Sequence, residues 1–208
     1  MNTLVYSIEK TEHPETLYIN LTNACTNNCV FCLRTQKDDV CGKDMWLDNE
    51  KITLEDVIAQ FKEFTTPSQV VFCGYGEPMI KLDLLKDVAH YLRINYPQVR
   101  IRVNTNGHAN AIHKKDVLPE LVGLIDGFSV SLNGADEQEY NELSKPNISN
   151  AFESVKSFIG AAVENGFDVT ATMVSGFMEG KPDVVEGQKI AEGLGAKFRV
   201  REFITNGY

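Results

Sequence analysis

Short β-branched and aromatic runs alternate with stretches of helical periodicity along this 208-residue chain, and that alternation limits its fold more than any other feature. The runs are Thr16-Leu17-Tyr18-Ile19-Asn20-Leu21, Gln69-Val70-Val71-Phe72, Arg100-Ile101-Arg102-Val103, Phe128-Ser129-Val130-Ser131-Leu132, residues 169–174 and residues 197–201. Each is bounded by turn-forming residues, as strands are. Thr53 and Asp56 have the spacing of a helix start, and Leu54, Val57, Ile58, Phe61 and Phe64 follow at helical intervals. Further helices are expected through Leu84, Leu85, Val88 and Leu92, briefly over 117–121, from a start that Asn150 and Glu153 could cap to Gly166, and from Asp183 to Leu194. Parallel neighbours require crossover connections, so strands alternating with helices predict an α/β fold with a parallel sheet.

Two architectures satisfy this pattern: an open doubly wound sheet, or a sheet curled into an incomplete barrel short of eight strands. Functional groups belong at the C-terminal ends of the strands in both. No internal repeat, low-complexity tract or composition shift divides the sequence, so residues 1–208 are expected to form one domain.

Polar groups do follow every strand. Cys25, Cys29 and Cys32 follow the first and Gly74-Tyr75-Gly76-Glu77 the second. Asn104 and Asn106 follow the third, Ser129, Ser131 and Asn133 lie in or after the fourth, Ser175 and Gly176 follow the fifth, and Arg201 and Glu202 end the sixth. Taken singly each has an ordinary reading: Gly-Tyr-Gly-Glu-Pro and Asn-Thr-Asn-Gly are common turns, Phe31 could be core, and Arg201 could pair with Glu202. Their shared position at the strand ends distinguishes them.

The Cys-x-x-x-Cys-x-x-Cys spacing is the most specific signal. Three thiolates within eight residues suit a soft metal or an iron–sulfur cluster, and a cube-shaped cluster held by three cysteines keeps one iron open. A zinc site would need a fourth ligand, for which Cys41 or His13 are the candidates, giving a non-catalytic zinc-binding scaffold. Cys73, ending an apolar strand, is expected to pack as a small hydrophobe, and neither it nor Cys41 is assigned as a ligand. His90, His108 and His113 are scattered; His108 and His113 flank the third-strand loop, where they could touch a substrate, and are expected at the surface. The formal charge of −9 argues against direct nucleic-acid binding, and no stretch reaches the length of a membrane span. An odd number of cysteines, three of them clustered, and an N-terminus unlike a signal peptide point to a reducing, cytoplasmic setting.

With the cysteines spaced this way and Phe31 just before the third, the sequence resembles the radical S-adenosylmethionine (SAM) superfamily over nearly its whole length. Gly74-Tyr75-Gly76-Glu77-Pro78 is similar to that family's Gly-Gly-Glu motif, and Asn104-Thr105-Asn106-Gly107 and Ser131-Leu132-Asn133 resemble its third- and fourth-strand segments. More narrowly, Asn20 to Cys29, Val71 to Pro78 and Val200 to Phe203 resemble the small radical SAM proteins associated with TatD-family nucleases, which implies an association with such a nuclease.

The resemblance implies a single-domain partial (βα)6 TIM-like barrel. It implies a 4Fe-4S cluster on Cys25, Cys29 and Cys32, whose open iron chelates SAM and whose electron cleaves it to a hydrogen-abstracting deoxyadenosyl radical. It assigns Gly74, Tyr75, Gly76 and Glu77 to the methionyl amino group and Asn104, Asn106, Ser129 and Ser131 to the ribose or carboxylate. Phe31 and Val174 fall in the adenine neighbourhood, and Arg201 on the SAM carboxylate or a substrate anion. A flavodoxin- or ferredoxin-like electron donor is implied as well. No cysteine follows Cys73, so no auxiliary-cluster domain is expected. The substrate stays open between a small molecule, as in the deazaguanine-forming synthases, and a partner protein or nucleotide. The loop 35–47 with Trp46 is a candidate contact surface for whatever closes the barrel mouth.

Overall fold

The strand residues that alternate in sequence between apolar and polar separate onto two faces, and only the apolar face is covered by helices. The computed structural model describes residues 2–8, 15–40 and 42–203. In chain order its elements are β1 (Val5–Ser7), β2 (Thr16–Ile19), β3 (Asp39–Val40), β4 (Lys43–Asp44), α1 (Leu54–Phe61), β5 (Gln69–Phe72), α2 (Leu82–Asn95) and β6 (Arg100–Thr105). There follow α3 (Ala109–His113), β7 (Gly127–Ser131), α4 (Glu137–Ser144), α5 (Ala151–Glu164), β8 (Asp168–Ser175), α6 (Val184–Gly193) and β9 (Lys197–Glu202). Cys41 and His13 lie outside the described residues.

The main sheet runs β1-β2-β5-β6-β7-β8-β9, with β1 antiparallel to β2 and every other pair parallel. The six parallel strands are those the sequence predicts, within a residue or two at their ends. Their spatial order is their chain order. A doubly wound sheet reverses strand order at a switch point and carries helices on both faces; this sheet does neither. It is an α/β fold with a mostly parallel sheet in the arrangement of an incomplete barrel.

Leu17, Ile19, Val70, Phe72, Ile101, Val103, Phe128, Val130, Val169, Ala171 and Met173 form one apolar cluster with Val57 and Phe61 of α1, Leu85, Val88 and Leu92 of α2, Val155, Phe158 and Ile159 of α5, and Ala191 of α6. Period-two alternation sends the intervening residues to the other, inner face. Register places them in rows: Tyr18, Val71, Arg102, Gly127 and Asp168, then Asn104, Ser129, Thr170 and Lys197, then Ser131, Thr172 and Arg199.

Local chemistry explains the helix starts. Thr53 and Asp56 form a reciprocal capping box, with Thr53 N donating to Asp56 Oδ2 at 2.9 Å and Asp56 N to Thr53 Oγ1 at 3.3 Å. Asp183 accepts from Glu186 N at 3.1 Å to start α6. Asn150, expected to cap α5 with its side chain, instead takes a left-handed backbone conformation and makes no side-chain cap. The preceding α4, hidden in a polar stretch because only Tyr140, Leu143 and Ser144 are buried on it, starts at Asp136, whose Oδ1 accepts from Glu139 N at 2.8 Å.

Gly127 opens β7 in the inner-face row, where a Cβ would lie 2.2 Å from the backbone oxygen of Asp168 on the adjacent strand. Gly127→Ala is expected to lower unfolding stability by about 1–3 kcal/mol, because a strand backbone cannot retreat without breaking its ladder; urea denaturation measures it.

Candidate active site

Past Ile19 the chain enters the loop of residues 20–32, which carries the three cysteines and is pinned from two sides. On one side Asn20 Nδ2 donates to Met45 O at 2.9 Å, Asn23 and Leu47 exchange two hydrogen bonds of 2.9 and 3.0 Å, and Thr22 Oγ1 donates to Glu50 Oε2 at 2.7 Å. On the other side the end of α4 receives the loop: Asn28 N donates to Ser144 O at 3.0 Å and Val30 N to Leu143 O at 2.9 Å. Arg34 bridges within it, donating to the carbonyls of Asn23 and Asn27 at 3.2 and 3.0 Å.

Cys25, Cys29 and Cys32 are thus held half-buried and free of disulfides. Burial pushes the Cys29 thiol up to about 12, and the neighbouring charges of Cys32 and Cys25 push in the same direction. Burial likewise raises Cys25, whose Sγ accepts from Asn27 N at 3.4 Å and Asn106 Nδ2 at 3.7 Å. Three mutually repelling thiols with hydrogen-bond donors in place fit a cationic iron–sulfur centre, since coordination removes the protons and offsets the charges. Among the described residues no three Cys, His, Asp or Glu side chains converge as a single metal ion requires. Thiolates on three different irons of one cube have no need to converge on a point.

The β5 loop forms the adjoining wall. A Cβ on Gly76 would lie 2.2 Å from Thr22 O and 2.6 Å from Ala24 O, and one on Gly74 would lie 2.0 Å from Asn20 Oδ1. Gly76 therefore lets the two loops pack backbone to backbone and Gly74 makes room for the Asn20 side chain, and Glu77 N seals the contact by donating to Ala24 O at 2.8 Å. The Tyr75 side chain is held in packing of its own: its hydroxyl donates to Lys37 O at 2.5 Å, and the ring meets Trp46 edge-on at 5.3 Å. Trp46, read as a contact surface, is partly buried in this packing.

The Glu77 side chain is 3% exposed. Its Oε1 accepts from Met79 N at 3.0 Å and Thr105 Oγ1 at 2.8 Å, and its Oε2 from Asn106 N at 2.6 Å. One carboxylate thus ties the β5 loop to the β6 loop. Asn106 is occupied too: Nδ2 donates to Thr26 Oγ1 at 2.8 Å and Oδ1 accepts from His108 N at 3.1 Å. Its side chain braces the cysteine loop.

His108 was expected at the surface and is 0% exposed. Its Nδ1 lies 2.9 Å from Thr26 Oγ1 and its Nε2 3.0 Å from the Tyr140 hydroxyl, which also accepts from Asn27 Nδ2 at 3.1 Å. A histidine in a turn-rich segment carries no periodic signal of burial, so sequence reasoning missed it. Tyr140 and the buried Ser144 were missed with α4. His113, expected at the surface, is half-buried with its Nε2 2.8 Å from Met79 O, and His90 is exposed.

The remaining predicted residues converge at the inner face. Asn104 pairs in register with Ser129, Ser131 with Thr172, and Val174 with Arg201. Val174 packs with Phe31, Leu143, Cys29 and Phe177, and the rings of Phe31 and Phe177 lie 4.8 Å apart. Phe177 and Phe203 extend this apolar shelf beside the cysteine loop. Arg201 is exposed and makes no ion pair with Glu202, which alternation sends to the opposite face. Cys73 stands outside the apolar clusters, on the inner face beside Asn104, which corrects its reading as a packed hydrophobe.

Comparison with known proteins agrees with this geometry. The family model of the radical SAM superfamily matches residues 19–186. An uncharacterized protein of Methanocaldococcus jannaschii is 25% identical over 130 residues, covering 62% of this chain and 41% of its own length. Streptococcus suis SuiB bound to S-adenosylmethionine superposes with a TM-score of 0.67 at 18% identity, over 93% of this chain and 42% of that one. Methylornithine synthase does so with a TM-score of 0.64 at 14% identity, over 91% and 53%. The chain therefore spans about half, or less, of the length of these relatives, and the structural likeness is one of fold.

The two buried titratable groups bracketing the site have opposed effects on stability. Burial lowers His108 from 6.5 to about 4, so between those values the unfolded chain holds a proton the folded one lacks, and stability rises with pH. Burial raises Glu77 from 4.5 to about 7, against the pull of its three donors, so across that window the folded chain holds the extra proton and stability falls with pH. Glu77→Gln is expected to cost about 1–3 kcal/mol, because its amide turns an N–H toward a buried N–H. The deficit should be largest at and below about pH 4.5 and shrink toward pH 7, leaving the rise due to His108; urea denaturation at a series of pH values checks both.

Proposed function

Because this chain belongs to the radical SAM superfamily, we propose that it is a radical SAM enzyme with one 4Fe-4S cluster held by Cys25, Cys29 and Cys32. The observation carrying this reading is the seating of three half-buried thiols in one braced loop at the C-terminal end of the sheet, against the Gly74–Glu77 loop. When bound, the cluster and SAM supply a deoxyadenosyl radical that abstracts hydrogen from a substrate.

The chain's own residues supply position and shelter. The backbone of the β5 loop, locked by the Glu77 carboxylate, offers carbonyls to the methionyl amino group. Asn104, Ser129 and Ser131 offer hydrogen bonds from the inner face, and Phe31, Val174 and Phe177 offer an apolar shelf for a purine. Asn106 acts at one remove, through Thr26 and Cys25.

A flavodoxin- or ferredoxin-like donor would supply the electron. Association with a TatD-like nuclease rests on the resemblance of residues 20–29, 71–78 and 200–203, and suggests a nucleotide-related context. Among the described residues no helix is long and apolar enough to cross a membrane.

Anaerobic reconstitution with iron and sulfide, then dithionite and SAM, is expected to yield brown protein that forms deoxyadenosine. Cys29→Ala should abolish both colour and product. Colourless protein carrying about one zinc per chain and leaving SAM intact would favour the zinc scaffold and overturn this reading.

A further inference from the structure

The inner face of the sheet carries more positive charge than a chain of net charge −9 would suggest. Arg100, Arg102, Lys197, Arg199 and Arg201 share this face by register, as does Asp168. Asp168 pairs with Arg100 and, at 2.7 Å, with Lys197, which balances the end of the sheet where the strands begin. Its charge reaches Arg102 too, though less than those of Arg100 and Arg199 do, and among the described residues no acid pairs with Arg199 or Arg201. Arg199 and Arg201 are exposed without an ion pair or side-chain hydrogen bond, and the Nε of Arg102 is buried without a partner. Glu202, the nearest acid in sequence, faces the other way.

The three are not scattered. Arg201 pairs in register with Val174 on the shelf beside Cys29, and Arg199 lies one inner-face step, about 7 Å, further from the mouth on the same strand. Arg102 faces them from β6, close enough that the charges of Arg100 and Arg199 add to burial, against the pull of Asp168, in holding its pKa below the ordinary range. Asn104, Ser129, Thr170 and Thr172 supply uncharged hydrogen-bonding groups between the two strands. Like charges gathered on a concave, partly desolvated surface focus a field that an anion relieves, and guanidinium forks match the oxygens of carboxylate and phosphate.

Taking the radical SAM reading as its premise, we propose that the substrate is a small organic molecule carrying a phosphate or carboxylate group, which Arg102 and Arg199 bind on the inner face. Arg201, nearest the mouth, is shared with the carboxylate of SAM. The overall negative charge opposes long polyanions, which favours a compact anion that fits within the face.

The test is calorimetric titration of inorganic phosphate, and in a parallel arm malonate, into the reconstituted protein saturated with SAM at low ionic strength. Saturable binding near one equivalent per chain is expected in at least one arm, and the tighter arm identifies the oxyanion. Arg102→Gln and Arg199→Gln should each weaken it at least tenfold, with Arg199→Lys intermediate because it keeps the charge and loses the fork. Lys62→Gln, an exposed change at the end of α1, should leave it unaltered. Among the described residues neither arginine has a side-chain partner, so the variants are expected to fold, as circular dichroism would verify. Coloured protein that cleaves SAM but binds neither anion, or binds them equally well in both variants, overturns this inference alone. Protein that forms no cluster overturns the proposed function beneath it.

Discussion

One-sided burial of the sheet is the constraint on which the rest of the molecule depends. Helices α1, α2, α5 and α6 cover the face built from Leu17, Val70, Ile101, Phe128, Val169 and their apolar neighbours, and that burial drives folding. With the helices confined to one face, the other is free to carry Arg102, Asn104, Ser129 and Thr172, side chains that a two-sided α/β core would exclude. Sequential strand order then brings the end of every parallel strand to one mouth.

At that mouth the polar groups divide into those that build the site and those left facing it. Glu77, Asn106, Thr26, His108, Tyr140 and Asn27 are joined in a buried hydrogen-bond network reaching from the β5 loop to α4, with Asn27 Oδ1 left without a partner. Glu77 and His108 within it lie buried where the neutral form is favoured. Their opposed pH windows overlap, so the site gains rigidity while stability changes little between pH 5 and 6.5. The groups without partners, above all the arginines of β6 and β9, are the ones available to ligands.

Strand positions, parallel connectivity and the cysteine triad could be read from the sequence by itself, because each depends on local periodicity or spacing: apolar residues at every second position, helical repeats between them, three thiols in eight residues. The Thr53–Asp56 capping box was legible for the same reason. Only the tertiary structure decided which face of each strand points inward, since alternation defines two faces without labelling them. It also showed that Gly74 and Gly76 admit a neighbouring loop, that Tyr75 packs against Trp46, and that Asn106 braces the cysteine loop. Burial of His108 and the bracing role of α4 likewise came from the fold, because they rest on contacts between residues up to 113 positions apart, as between Asn27 and Tyr140. A single sequence encodes such contacts only through the packing that brings them together.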